Sequence, residues 1–413
     1  MKTVKFFTLG CKVNQYDTQS IREHFLLKGF REARKGPAAT CLINTCTVTS
    51  WADRQSRYII RRCIKDNPGA DIIVTGCLVE KDAASLAAIK GVGFIIGKKF
   101  LKQAPISDFE GHTRAFLKVQ DGCNNRCSYC KVPLVRGNSK SRLLAQVVNE
   151  AQALVNSGFK EIVLCGICLG SFGKDLYPKI SLVDILSRME KIKGLLRIRL
   201  SSIEAGEVDE ALIGQMARSK IVCRHLHIPM QSGADGVLRR MNRSYRRNDY
   251  LKLVEKVKRR LRGASITTDI MVGFPGESEG DLKDTLSLIE AIEPLRVHIF
   301  PYSSRQGTIA HGFDTELTPD IIKERVSLLK NEALKSSGAF RRRFLNRKTD
   351  VLIEERCKDR PGFWQGYAGN YIRVLVRSSR DLSNQLLKVE LKKIDGDCMI
   401  GLIRKRKKGA SGY

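Results

Sequence analysis

The stretch Cys123-Asn124-Asn125-Arg126-Cys127-Ser128-Tyr129-Cys130 sets three thiols in a C-x3-C-x2-C spacing, short enough to close one loop around a metal centre. Three ligands are one fewer than a structural zinc site uses, whereas a reactive centre keeps a position open. A cubic iron–sulfur cluster held by three thiolates likewise leaves one iron free for a small molecule. Tyr129, directly before the last cysteine, would stand beside that open corner. A zinc loop that borrows a distant fourth ligand remains the alternative.

Three further cysteines share a position rather than a motif. Residues 3–9, 41–44, 71–75 and 93–96 read as short apolar strands, with helical patterns over 14–28, 52–65 and 81–89 between them. Strands alternating with helices predict a parallel sheet. Cys11, Cys46 and Cys77 each fall just after a strand, about one βαβ unit apart. In such a sheet the carboxyl ends of the strands share one edge, where ligands bind. The three thiols are therefore expected to converge on a second cluster. Cys41 and Cys63 lie inside a strand and a helix and read as core or surface residues.

Residues 101–113 read as a linker. Six more strands follow near 114–120, 161–165, 197–201, 224–228, 266–271 and 296–300, with helical patterns between them. This alternation predicts a curled, partial (β/α)6 barrel with its active site at the strands' carboxyl ends, where the Cys123 loop sits. Glu204, Gln231 and Asp269 fall at that edge, where Glu204 and Gln231 read either as hydrogen-bonding groups for a nucleoside-like cofactor or as cap and turn residues. His225 and His227 share one strand face and read as satisfied barrel residues. Cys165-Gly166-Ile167-Cys168 is a C-x2-C pair with no second pair behind it, so two unpaired thiols lining the barrel mouth are expected. Residues 273–277 are glycine-rich without phosphate-loop spacing.

From residue 350 the period changes to two: Ile372, Val374 and Val376 alternate with Arg373, Leu375 and Arg377, and Leu387, Val389 and Leu391 with Lys388, Glu390 and Lys392. This predicts a small β-barrel of the RNA-binding kind, in which Phe363, Trp364, Tyr367 and Tyr371 either stack on bases or fill the core. The 413 residues carry 73 Lys+Arg against 43 Asp+Glu, a net charge of +30. That excess suits a polyanion, and nucleic acid is the commonest one. Basic residues gather at 239–247, 256–262, 341–348 and in the tail at 404–408. No stretch has the length to span a bilayer, and the start lacks a secretory signal pattern. Thirteen cysteines then point to a reducing cytoplasm and metal or catalytic use rather than disulfides.

Across nearly its whole length the chain resembles the methylthiotransferases. The Cys123–Cys130 loop, with Gln120-Asp121-Gly122 before it and Arg136-Gly137 after it, resembles the signature of radical S-adenosylmethionine (SAM) enzymes. The stretch from Thr8 to Asp17, with Asn44–Thr49 and Thr75-Gly76-Cys77, resembles the family's N-terminal domain, and the end resembles its TRAM RNA-binding barrel. Leu9–Tyr16, His225–Gly233 and His298–Ser303 are most similar to the MtaB-type branch, which acts on tRNA carrying N6-threonylcarbamoyladenosine beside the anticodon. The isopentenyladenosine and ribosomal-protein branches are the nearest rivals, and a non-catalytic, zinc-containing RNA-binding protein is the reading outside the family.

The resemblance implies an α/β chain of three units: residues 1–105, 109–342 (the radical SAM barrel) and 345–408. It implies two [4Fe–4S] clusters, one on Cys11, Cys46 and Cys77 and one on Cys123, Cys127 and Cys130, with SAM near Tyr129, Glu204, Gln231 and Asp269. One SAM would methylate sulfur at the first cluster, and the second cluster would cleave another SAM to a radical that takes hydrogen from C2 of the adenine. tRNA, an electron donor and a sulfur source are the implied partners. Two departures stand out: Cys168 where relatives usually carry another polar residue, and Ser383-Asn384-Gln385 in place of a glycine common in the barrel turn.

Overall fold

The computed structural model describes residues 2–100, 104–314 and 317–403. The basic tail at 404–408 lies outside the described residues. The first unit is a parallel sheet in the order β2-β1-β3-β4-β5, with β1 at Thr3–Thr8, β2 at Arg31–Glu32, β3 at Thr40–Thr45, β4 at Asp71–Gly76 and β5 at Phe94–Ile95. Helices α1 (Lys12–Leu27), α2 (Ser50–Asp66) and α3 (Cys77–Ala87) connect the strands. Every residue of β3 is buried, as a central parallel strand with both faces covered must be. Cys41 and Cys63 are core residues of this sheet. At two residues, β2 is too short to show a period.

The second unit carries six parallel strands in two hydrogen-bonded halves. One half is ordered β10-β9-β6, with β6 at Ala115–Lys118, β9 at Glu161–Cys165 and β10 at Arg197–Leu200. The other is ordered β11-β12-β13, with β11 at His225–His227, β12 at Ser265–Val272 and β13 at Arg296–Pro301. Isolated bridges at Ile198–Val222 and Ser202–His227 join the halves into one curled wall. Helices α5 (Leu144–Asn156), α6 (Leu182–Met189), α7 (Glu210–Arg218), α9 (Arg247–Arg260) and α10 (Glu279–Ile292) supply the outer layer. One large core spans this unit and takes in Val13 and Tyr16 of α1, so the first unit packs directly on the barrel. A short hairpin of β7 (Gln120–Asp121) and β8 (Lys140–Ser141), the five-residue α4 (Val132–Arg136) and α8 (Asp235–Arg240) escape any periodicity argument.

The described part of the expected linker is not loose. Ile106 and Phe109 are buried, the Ile106 amide donates to Glu150 at 3.0 Å, and Ser107 donates to Glu23 of α1. Asp269 lies within β12 rather than near its end, because the strand runs on through Val272.

Helix α11 (Pro319–Arg342), capped by Thr318, leads to a closed barrel ordered β14-β15-β16-β18-β17. Its strands are β14 (Lys348–Arg356), β15 (Phe363–Ala368), β16 (Arg373–Arg377), β17 (Leu386–Asp395) and β18 (Cys398–Ile403). Ile372, Val374, Val376, Val389 and Leu391 fill it, as their alternation requires, while Leu375 is also buried, in a satellite with Cys357 and Cys398. Trp364 is a core residue. Tyr367 and Tyr371 stack on each other at 5.0 Å and lie under Arg114 of the central unit. These aromatics hold the two units together and are not a free stacking platform. The 383–385 turn docks on the central unit as well: Asn384, at φ +54°, accepts at its carbonyl from Lys160 at 2.6 Å and donates to Gly158 at 3.0 Å. Asparagine tolerates this left-handed backbone better than most residues, which accounts for its use where a glycine is usual.

Candidate active site

Cys11 is the N-cap of α1, Cys77 is the first residue of α3, and Cys46 follows β3 directly. Two glycines let these loops close. Gly76 has φ +101°, and a Cβ there would stand 2.4 Å from the Thr45 backbone; a Cβ on Gly10 would lie 3.1 Å from the Cys46 sulfur. Lys98 Nζ lies 3.3 Å from Cys77 Sγ, Asn14 Oδ1 accepts from Cys77 at 4.0 Å, and the Arg136 guanidinium faces Cys77 and Cys11. Burial pushes the Cys46 thiol up to about 11. All three cysteines line one cavity of about 460 Å³.

The Cys123 loop hangs between β7 and α4. Gly122, at φ +71°, passes so close to Asn138 that a Cβ would meet its carbonyl oxygen at 2.0 Å, and the Cys123 amide donates to Gly137 at 3.0 Å. Gln120 Nε2 ties the same turn by donating to the Asp121 and Gly122 carbonyls at 2.7 Å. Ser128 anchors the far side through Arg240 and Met241. Burial pushes the Cys130 thiol up to about 12 and raises Cys127 against the pull of Arg243. The neighbouring Cys168 thiol brings Cys123 below its ordinary value. These three thiols border a second cavity, of about 470 Å³. Helix α4 stands between the two cavities, with Val132, Val135 and Arg136 lining the first and Pro133 and Leu134 the second.

The ligand atoms of His227, Asp269 and His298 all lie within 4.8 Å of one another.

The four residues expected at SAM fall in different places. Tyr129 is largely covered, edge-on to Phe274 at 6.3 Å. Glu204 is ion-paired with Arg243, whose Nη1 also donates to Cys127 Sγ at 3.2 Å. Gln231 adopts φ +64° and keeps a buried Oε1 with no hydrogen-bond partner among the described residues, so it offers an acceptor to an incoming group. Asp269 faces the first cavity, where it takes a contact from His227 Nε2 at 3.2 Å. Sequence reasoning missed Arg243, since it is one arginine among five between 239 and 247 and nothing local marks it as buried. Cys165 and Cys168 are free thiols at the barrel mouth, as expected; Cys168 also lies 3.5 Å from Glu207.

The first cavity runs from these cysteines into the barrel lumen, past Cys165, Ser201 and His298, to Tyr371 of the C-terminal barrel. Tyr371 packs on His225 at 4.5 Å and beneath Arg199 at 4.6 Å, closing the amino-terminal end of the strands.

Comparisons with known proteins agree with this architecture. Residues 117–289 match the Radical SAM superfamily and residues 3–97 match a family described as Uncharacterized protein family UPF0004. The chain is 36% identical to the threonylcarbamoyladenosine tRNA methylthiotransferase MtaB of Bacillus subtilis, covering 95% of this chain and 94% of that one. It is 38% identical to the protein of the same name from Chlamydia pneumoniae, covering 86% and 87%. It is 32% identical to the tRNA-2-methylthio-N(6)-dimethylallyladenosine synthase of Clostridium tetani, covering 85% of each. Among solved structures it is similar to the radical S-adenosylmethionine methyltransferase TsrM of Kitasatospora setae, with a TM-score of 0.53 at 14% identity over 73% of this chain and 75% of that one, a likeness of fold alone. The superfamily fold implies SAM and one [4Fe–4S] cluster, for which the Cys123, Cys127 and Cys130 donors are the fitting set. With relatives matched along almost its full length and both family models on the chain, it belongs to the radical SAM tRNA methylthiotransferase family.

Proposed function

We propose that this protein adds a methylthio group to C2 of N6-threonylcarbamoyladenosine at position 37 of cytoplasmic tRNA, next to the anticodon. The observation that carries the reading is the pair of three-thiol sites on either side of α4, one of them opening into a lumen of about 460 Å³. Cys123, Cys127 and Cys130 would hold the cluster that binds SAM, and Cys11, Cys46 and Cys77 a second cluster. When bound, these groups supply the reducing electron, the radical and the methylated sulfur.

The chain's own residues position and shield. Lys98 and Arg136 place positive charge beside the Cys77 and Cys11 sulfurs at the mouth of the lumen. Arg243 bridges the Cys127 sulfur to Glu204, and so fixes the carboxylate next to the radical loop. Tyr371 and the arginines around it seal the far end, which keeps bulk water from a reactive intermediate. The base must leave the anticodon-loop stack to enter, at a cost of a few kcal/mol that phosphate contacts offset. Arg239, Arg259 and Arg260 are exposed on the central unit, and Arg342, Arg343, Arg347 and Lys348 near the C-terminal barrel, where such contacts are available.

The identity to the dimethylallyladenosine synthase of Clostridium tetani favours a second reading, in which the prenylated base is the substrate. Mass spectrometry of tRNA nucleosides from a strain lacking the gene separates the two. Loss of the methylthio form of threonylcarbamoyladenosine supports the first reading. Its persistence, with loss of the methylthio prenyl nucleoside, supports the second.

A further inference from the structure

The inner part of the lumen carries polar groups that neither cysteine triple uses. Arg296 opens β13 and lines the cavity, yet its side chain makes no hydrogen bond or ion pair with any described residue. The other arginines of that cavity are all engaged: Arg136 with Asp121, Arg114 with Glu354, and Arg199 with Glu161. Ser201 Oγ is buried in the same wall without a partner among the described residues. Parallel register places Asp269 directly beside His298, and His227 is steered toward both because Thr267 Oγ1 holds its Nδ1 at 2.9 Å.

An unpaired cation, an unpaired hydroxyl and an imidazole–carboxylate group thus face one space. A polar wall of this kind, half-buried at Arg296, Ser201, His227 and Asp269, suits a ligand that is anionic at one end and rich in hydrogen-bonding groups along its length. A prenyl group would leave the buried Ser201 hydroxyl without a partner, which is costly, and would offer Arg296 no counter-charge. We propose that Arg296 binds the carboxylate of an amino-acid substituent on N6 of the base, while Ser201, Asp269 and His298 take its hydroxyl and urea groups, so that the lumen selects an acidic N6 side chain over an apolar one. This rests on the threonylcarbamoyladenosine reading above and adds the residues that enforce it. Sites built to hydrogen-bond a substrate reject analogues that lack the groups by about 10⁴-fold or more, far beyond what an apolar pocket achieves.

The test uses two anticodon stem-loop RNAs, one with the threonylcarbamoyl group and one with the neutral threoninamide in its place. Both are assayed for kcat/KM with the wild-type enzyme, Arg296→Gln and Arg296→Lys. Replacing the acid by the amide is expected to slow the wild type by about 10- to 100-fold, as for loss of a charge-assisted contact. Arg296→Gln should lose about as much on the acid and little more on the amide, and Arg296→Lys should recover part of the loss. Equal losses for Arg296→Gln on both RNAs would overturn the inference while leaving the substrate reading intact. So would a wild type that does not distinguish acid from amide, a result that needs no variant to fold. A wild type that modifies neither RNA but does modify a prenylated one would overturn the substrate reading itself, and this inference with it.

Discussion

Glu161 is the most informative single position outside the cysteines. Its side chain is 0% exposed, with Arg199 Nε at 2.7 Å, Arg197 Nη1 at 3.5 Å and Arg114 Nη1 at 3.9 Å. Arg197 then donates to the Tyr367 carbonyl at 2.8 Å, and Arg199 donates to those of Ala368 and Gly369 at 3.3 Å, so one carboxylate orients the arginines that seat the C-terminal barrel. Glu161→Gln keeps the shape and removes the charge, leaving buried guanidiniums short of a counter-ion. Breaking a buried pair from one side costs about 3–5 kcal/mol. Burial raises the Glu161 pKa, but Arg199 and Arg114 outweigh it and hold the carboxyl below its ordinary 4.5. Its stabilisation is therefore complete above 4.5 and is lost as the pH falls through the lower folded value. The chain has two tryptophans, and Trp364 lies in the C-terminal barrel core, so its fluorescence in a Trp51→Phe background follows that unit in urea. The Glu161→Gln transition should shift by the stated amount at neutral pH, and the gap to wild type should narrow in acid. A shift under about 1 kcal/mol, or a gap unchanged in acid, would refute the reasoning.

Three other substitutions probe the loops that carry the thiols. Arg136 is 2% exposed and bonds Asp121 at 2.6 Å and Asp17 at 3.5 Å, joining the radical loop to α1. Arg136→Met should loosen the first unit by about 3–5 kcal/mol and open residues 104–113 to protease, and an unchanged digestion pattern would contradict this. Gly122→Ala should displace Cys123, given the 2.0 Å approach to Asn138, and lower iron at the radical loop alone. Gly76→Ala should do the reverse, sparing that loop and emptying the Cys11, Cys46 and Cys77 site. Equal iron loss in both glycine variants would mean that the two sites are not independently built.

Both cysteine sets were legible in the sequence, for different reasons. The C-x3-C-x2-C loop is local, and the other triple follows from topology, since a parallel sheet delivers every strand's carboxyl end to one edge. Contacts that depend on register across strands were not legible. Asp269 meets His298 only because β12 and β13 align at those residues, and a sequence read as separate strands carries no register. Tyr367 and Tyr371 show the same limit: alternation marks them as barrel residues but does not say which face docks on another unit. Two-residue elements such as the β7–β8 hairpin are below the length at which any period appears, although this one pins the radical loop.

The division of labour between the two triples is the central claim, and one in vitro assay tests it. Wild type, Cys123/Cys127/Cys130→Ala and Cys11/Cys46/Cys77→Ala proteins are reconstituted with iron and sulfide without oxygen. Each is then given SAM, reductant and threonylcarbamoyladenosine-containing tRNA, and 5′-deoxyadenosine and methylthio product are measured together. Loss of the first triple should abolish both products, whereas loss of the second should spare 5′-deoxyadenosine and abolish methylthio transfer. Methylthio product from the Cys11/Cys46/Cys77→Ala protein, or 5′-deoxyadenosine from the Cys123/Cys127/Cys130→Ala protein, would contradict the account.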